Sequence, residues 1–246
     1  MYRFRLKIEF DGRPFVGWQR QSNGLAVQEV VETAGEALSG APTPVVGAGR
    51  TDAGVHALGM VAHIDLPKNY PPQTVKDALN AHMRPHPIAI LDASEAPADF
   101  HARFSCQGRE YLYRVLNRRA PRALRAHHVW QVGPELDLPA MEKAAATLIG
   151  KHDFTTFRSV QCQAASPLKT LSSIHITQEK DEVHFGFYAP SFLHNQVRSL
   201  VGSLVQVGLG RWPPAQMADA LQAKDRAACG PVAPPDGLYF VKAYYP

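Results

Sequence analysis

"YRFRLKIEF", residues 2–10, alternates strictly, with Tyr2, Phe4, Leu6, Ile8 and Phe10 on one side and Arg3, Arg5, Lys7 and Glu9 on the other. Period-two alternation predicts a half-buried strand, one face on a core and one in water. Asp11-Gly12 breaks it. From Val27, the apolar residues Val27, Val30, Val31, Ala34 and Leu38 recur at helical spacing, with Gln28, Glu29, Glu32 and Glu36 outside. A glycine-rich stretch follows at 47–59, then a strand through Met60, Ala62 and Ile64. A second helix around 74–82 and an extended "IAILDA" at 88–93 complete this half.

The remainder repeats the course. "REYLYRVLN" (109–117) reads as a strand, and Pro139 opens a helix with Met141, Ala144, Ala145, Leu148 and Ile149 inward and Gly150 closing it. Strands near 171–178 and 183–189 form a meander. A long helix turns Val197, Leu200, Val201, Leu204 and Val205 inward, a shorter one spans 214–224, and "LYFVKAYY" closes the chain. Each half reads β-α-β-α-β, without the regularity of a doubly wound parallel sheet. The expected fold is therefore α+β, two ferredoxin-like halves with mainly antiparallel sheets. The expected halves are 1–105 and 106–246, with a cleft between them.

Composition bounds the function. The chain has 246 residues, 45% hydrophobic and 20% charged, ordinary for a globular protein. No stretch approaches the roughly 20 apolar residues of a membrane span. The N-terminus lacks the unbroken apolar run of a signal peptide, so a cytoplasmic protein is expected. Cys106, Cys162 and Cys229 are too widely spaced for a CxxC site. The eleven histidines show no metal-ligand spacing, so no metal is expected.

Seven arginines (103, 109, 114, 118, 119, 122 and 125) face one acid, Glu110, between Arg103 and Arg125, with Phe104, Tyr111 and Tyr113 interleaved. Guanidinium groups clamp phosphates and aromatic rings stack on bases, so a nucleic-acid surface is one reading and a solvated basic hairpin the other. "GAGRTDAGVHALG" (47–59) holds one carboxylate, Asp52, beside one guanidinium, Arg50. Its glycines match neither GxGxxG nor GxxxxGK[ST]. Asp52 reads either as a turn aspartate bonding its own backbone or as a lone catalytic acid. No second carboxylate nearby forms a hydrolase pair.

"AGRTDAGVHALGMVAHID" (48–65) resembles the signature of the TruA family of tRNA pseudouridine synthases. "EFDGRPFVGWQRQ" (9–21), "FHARFSCQGREYLYRV" (100–115), "DFTTFRS" (153–159), "FLHNQVRSLVGSLVQVG" (192–208) and "GLYFVKAYYP" (237–246) resemble further family segments in the same order. Two departures stand out. Many members read His-His-Met-Val-Arg-Asn where this chain has "HNQVRS" (194–199), and Gln is frequent at the place of Met60.

The resemblance implies the pseudouridine synthase fold and isomerisation of uridine to pseudouridine at positions 38, 39 and 40 of the tRNA anticodon stem-loop. It implies no cofactor and a homodimer holding one tRNA. Asp52 matches the catalytic aspartate, Arg198 its charge partner, Arg50 the group that fills the gap left by an extruded base, and Tyr111 the ring on which that base stacks. The glycines around Asp52 are then expected to let the RNA backbone approach. A non-catalytic RNA-binding protein on a ferredoxin-like scaffold is the alternative, and a nucleosidase using Asp52 a third reading.

Overall fold

Strand β1 (Tyr2–Phe10) has the expected alternation: Phe4, Leu6 and Ile8 are wholly buried while Arg5, Lys7 and Glu9 face water. The computed structural model describes residues 1–246, which divide into two compact units. The first comprises Met1–Gln107 with Tyr239–Pro246, and the second Gly108–Leu238.

In the first unit β1 is followed by α1 (Val27–Ser39), β2 (Val45–Gly47), β3 (His56–Leu66), α2 (Pro72–His82) and β4 (Ile88–Glu95). β1 lies between β4 and β3, antiparallel to both, and β2 pairs antiparallel with β3. The order 4-1-3-2 on a βαββαβ chain is the ferredoxin-like arrangement. Helix α1 buries Val27, Val30, Val31, Ala34 and Gly35. A Cβ at Gly35 would stand 2.6 Å from Thr43 Oγ1 and 2.7 Å from Ile64 Cδ1, so the glycine lets helix and sheet close up. Burying side chains such as Phe4 or Ile64 stabilises the unit by about 1.5–3 kcal/mol each.

In the second unit β5 (Gly108–Asn117) pairs with β10 (Glu182–Ala189), and β10 with β9 (Ser173–Glu179), all antiparallel. β6 (Trp130–Val132) runs parallel to β5. β7 (Gly150–Asp153) and β8 (Leu168–Leu171) form a separate pair. The helices are α3 (Leu138–Ala146), α4 (Gln196–Gly208) and α5 (Gln216–Ala223). Asp137 caps α3 by accepting from Ala140 N at 3.0 Å.

Three expectations change. The helix read to Gly150 ends at Ala146; Gly150 opens β7 at φ +116°, and Ile149 is 44% exposed rather than inward. The short strands β2, β6, β7 and β8 carry too few residues to show a period. The closing strand β11 (Leu238–Tyr244), read with the second half, groups from Tyr239 onward with the first unit, where Tyr239 and Phe240 pair in parallel with His56 and Ala57 of β3.

Candidate active site

Asp52 sits on a turn built from backbone. Its carbonyl accepts from Val55 N at 3.1 Å, and Gly54 within that turn has φ +78°, which suits glycine. Residues 12–18 interlock with it. Trp18 N donates to Thr51 O at 3.1 Å, and Gly17 forms an antiparallel bridge with Asp52. Gly17 has φ +117°, and a Cβ there would stand 2.5 Å from Thr51 O. A Cβ at Gly12 would fall 2.0 Å from Val55 O. The two segments touch through their main chains, and side chains on either glycine would push them apart.

A buried imidazole supports the same place. Gly12 N donates to His56 Nδ1 at 3.1 Å, Asp11 Oδ1 lies 3.2 Å from that nitrogen, and the ring stacks on Tyr239 at 4.9 Å. Burial pushes the Asp11 carboxyl up, but hydrogen bonds from Arg13 and the nearby His56 outweigh it and hold it below the usual carboxylate range. Asp52 is partly exposed and Arg50 exposed, both on the segment between β2 and β3.

The glycines have a different task from the expected one. A Cβ at Gly47 would meet the Trp18 indole at 2.6 Å, and one at Gly59 would meet Val241 O at 2.7 Å. Gly47 and Gly59 thus admit protein atoms, and Gly54 suits its turn.

Tyr111 and Arg198 belong to the second unit. Tyr111 pairs with Phe187 across β5 and β10, is 8% exposed, and meets the Phe192 ring edge-on at 5.1 Å. Its neighbour on the same face, Tyr113, is fully buried and donates its hydroxyl to Pro234 O at 2.7 Å; burial raises its phenol. Arg198 is the third residue of α4. Its Nε donates to Ala233 O at 2.8 Å and its Nη1 to Asn195 Oδ1 at 3.0 Å.

Those contacts explain the first departure from the family pattern. Asn195 precedes α4 at φ +62°, a conformation asparagine tolerates, and its side chain fixes Arg198. Gln196, 1% exposed, accepts from Leu193 N at 2.8 Å and so closes the turn before the helix. Met60 is wholly buried within β3, where an apolar side chain avoids an amide needing partners. Two buried hydroxyls find no hydrogen-bond partner in the protein: Thr51, beside Asp52, and Ser199, beside Arg198.

The arginine stretch departs from the phosphate-clamp reading. Glu182, 3% exposed on β10, takes Arg114 through two bonds of 2.9 and 3.1 Å, His184 at 2.9 Å, and Arg125. Arg118 pairs with Asp181 at 2.6 Å, and Arg122 binds Val129 O and lies 3.5 Å from Asp236. These acids, distant in sequence, turn most of the cluster into internal ion pairs.

Comparison with known proteins places the chain in a family. A family model described as tRNA pseudouridine synthase matches residues 7–105 and 144–246. Proteins named tRNA pseudouridine synthase A are 58% identical in Afipia carboxidovorans and 56% identical in Parvibaculum lavamentivorans, each over 100% of both chains. A third, from Rhodospirillum rubrum, is 53% identical over 100% of this chain and 88% of its own length. The chain belongs to the tRNA pseudouridine synthase family, as the resemblance of its motifs implies. No helix is long and apolar enough to cross a membrane.

The sequence reading missed the supports of the site: Asp11, Gly12, Gly17, Trp18 and His56 around Asp52, and Asn195 beside Arg198. For Asp11, Gly12, Gly17 and Trp18 the signal was present in "FDGRPFVGW" (10–18), where two glycines flank Arg13-Pro14-Phe15-Val16.

Proposed function

We propose that this chain isomerises uridine to pseudouridine in the anticodon arm of tRNA, at positions 38, 39 and 40. The observation that carries the reading is end-to-end similarity to proteins named tRNA pseudouridine synthase A. The N1–C1′ bond breaks, the uracil turns, and C5 joins C1′; C5 loses a proton and N1 gains one. Nothing is oxidised or consumed, so the balance requires no cofactor.

Asp52 is assigned the catalytic carboxylate. An exposed aspartate, with pKa about 3.9, is ionised at neutral pH, but full burial under an extruded base raises such a group by roughly 3–5 units. A guanidinium offsets about 1–3 of those units, and Arg198 is given that part. Its bonds to Asn195 and Ala233 set its direction. Arg50 fills the gap left by the base, whose extrusion costs a few kcal/mol. Tyr111 is the ring against which the base packs. The active form is a cytoplasmic homodimer holding one tRNA across both copies.

Incubation with tRNA carrying labelled uridine tests the assignment. The expected product is pseudouridine with no free uracil. Binding without conversion would favour a non-catalytic RNA-binding protein, and release of free uracil a nucleosidase.

A further inference from the structure

Phe104 is 78% exposed on a turn whose other groups are fastened. Ser105 N donates to His101 O at 2.9 Å, and His101 N to Ser105 Oγ at 3.0 Å. His101 Nδ1 accepts from Arg103 N and Phe104 N, both at 3.2 Å. Ala102 N donates to His63 Nδ1 at 3.1 Å, and Ala102 O accepts from the Tyr245 hydroxyl at 2.7 Å. Upstream, Arg3 grips Ala98 O and Phe100 O at 2.7 Å each while its other edge holds Asp65 through bonds of 2.8 and 2.7 Å.

The Ala102 bond to His63 survives mild acid. His63 is 5% exposed, and burial, with Arg3 and His101 nearby, brings its pKa down to about 4. It therefore remains a neutral acceptor for Ala102 at physiological pH.

A single exposed apolar side chain is ordinary; this one has a built surround. The Phe104 ring stacks on His101 at 4.3 Å and 30°, and His101 in turn meets His63 at 4.9 Å. The Arg103 guanidinium lies over the Phe104 ring, 5.8 Å from its centroid. The turn from Phe100 to Gln107 holds that arginine and no acid. An apolar protein partner calls for a patch, whereas here one flat ring carries one cation over it. That pairing suits a flat base joined to a phosphate. Because the turn is ordered by folding, a ligand does not bear the cost of ordering it.

We propose that Phe104, backed by His101 and flanked by Arg103, is a stacking platform for an unpaired base of the RNA substrate. This rests on the reading that the substrate is tRNA, and adds a contact to the residues assigned above.

The test measures binding of a tRNA transcript to the full-length protein at several salt concentrations, with size-exclusion elution and pseudouridine formation in parallel. Phe104→Ala should weaken Kd by roughly 5- to 150-fold, the span for losing one base–aromatic stack, with an unchanged salt slope. Phe104→Trp should restore affinity, and its fluorescence should be quenched by tRNA. Arg103→Ala should lower the log–log slope by about 0.7, as for one phosphate on a single strand. Wild-type affinity in Phe104→Ala would overturn the platform. So would a shifted elution volume, which would place Phe104 between copies of the chain. Wild-type turnover with unaffected Phe104→Ala binding sinks the platform alone. A wild-type protein that binds tRNA without converting it sinks the isomerase reading alone, because the binding data still decide the platform.

Discussion

The Asp52 turn and the arginine stretch from 109 to 125 are both charged, yet they are held in opposite ways. Around Asp52, main chain touches main chain: Trp18 N on Thr51 O, Gly17 bridged to Asp52, and Gly12 against Val55. In the arginine stretch, side chains hold side chains, with Glu182 gathering Arg114, Arg125 and His184. A backbone clamp fixes where a residue sits through main-chain contacts alone. An ion-pair clamp uses up the charges that the sequence offers to a ligand.

The difference can be broken first at Gly17. Gly17→Ala adds a Cβ 2.5 Å from Thr51 O at φ +117° and should displace Asp52. A displacement of order 1 Å can cost about 100-fold, so kcat should fall by at least that factor while KM holds. Loss in KM alone would mean that the clamp serves binding. Glu182→Gln attacks the other region. It leaves two arginines and a histidine around a neutral amide, and should cost about 3 kcal/mol in urea denaturation. That is the low end of the range for breaking a buried pair, since Arg114 and Arg125 are 27% and 52% exposed. Turnover per folded molecule should persist; its loss would give Glu182 a part in the chemistry.

A smaller effect follows from His63. Its pKa of about 4 in the fold lies below the ordinary 6.5, so below pH 6.5 the unfolded chain binds a proton that the native one refuses. The stability contributed by neutral His63 is complete above pH 6.5 and is lost as pH falls towards 4. Thermal unfolding should show that decline, and His63→Gln should flatten it; an equal decline in the variant would assign it to other groups. The smallest effect expected is on salt dependence. Arg118→Ala and Arg122→Ala should leave the slope of tRNA binding nearly unchanged, because Asp181 and Asp236 already face them. A slope smaller by about 0.7–0.9 in either variant would show a phosphate contact.

The fold was legible where residues repeat over several turns or pleats. The faces of β1 and α1 are where their periods put them, whereas α4 is buried almost all round. It was illegible where partners are distant or elements short: β2 has three residues, and nothing near Arg114 in sequence announces Glu182. Asp52 stood out as one acid among glycines, but the reason for those glycines did not. Gly12 and Gly47 answer to Val55 and Trp18, contacts that only folding creates. Asn195 looked like a departure from the family and proves to be the residue that orients Arg198.

The central claim, that Asp52 is the catalyst, meets its most direct test in Asp52→Asn, which keeps the size of the side chain and removes its charge. The variant should fold, since the turn is set by Gly54 and the Val55 bond, and should bind tRNA at least as tightly as wild type, having lost a negative charge. It should form no detectable pseudouridine. Turnover within about tenfold of wild type, a barrier change of only about 1.4 kcal/mol, would contradict the claim.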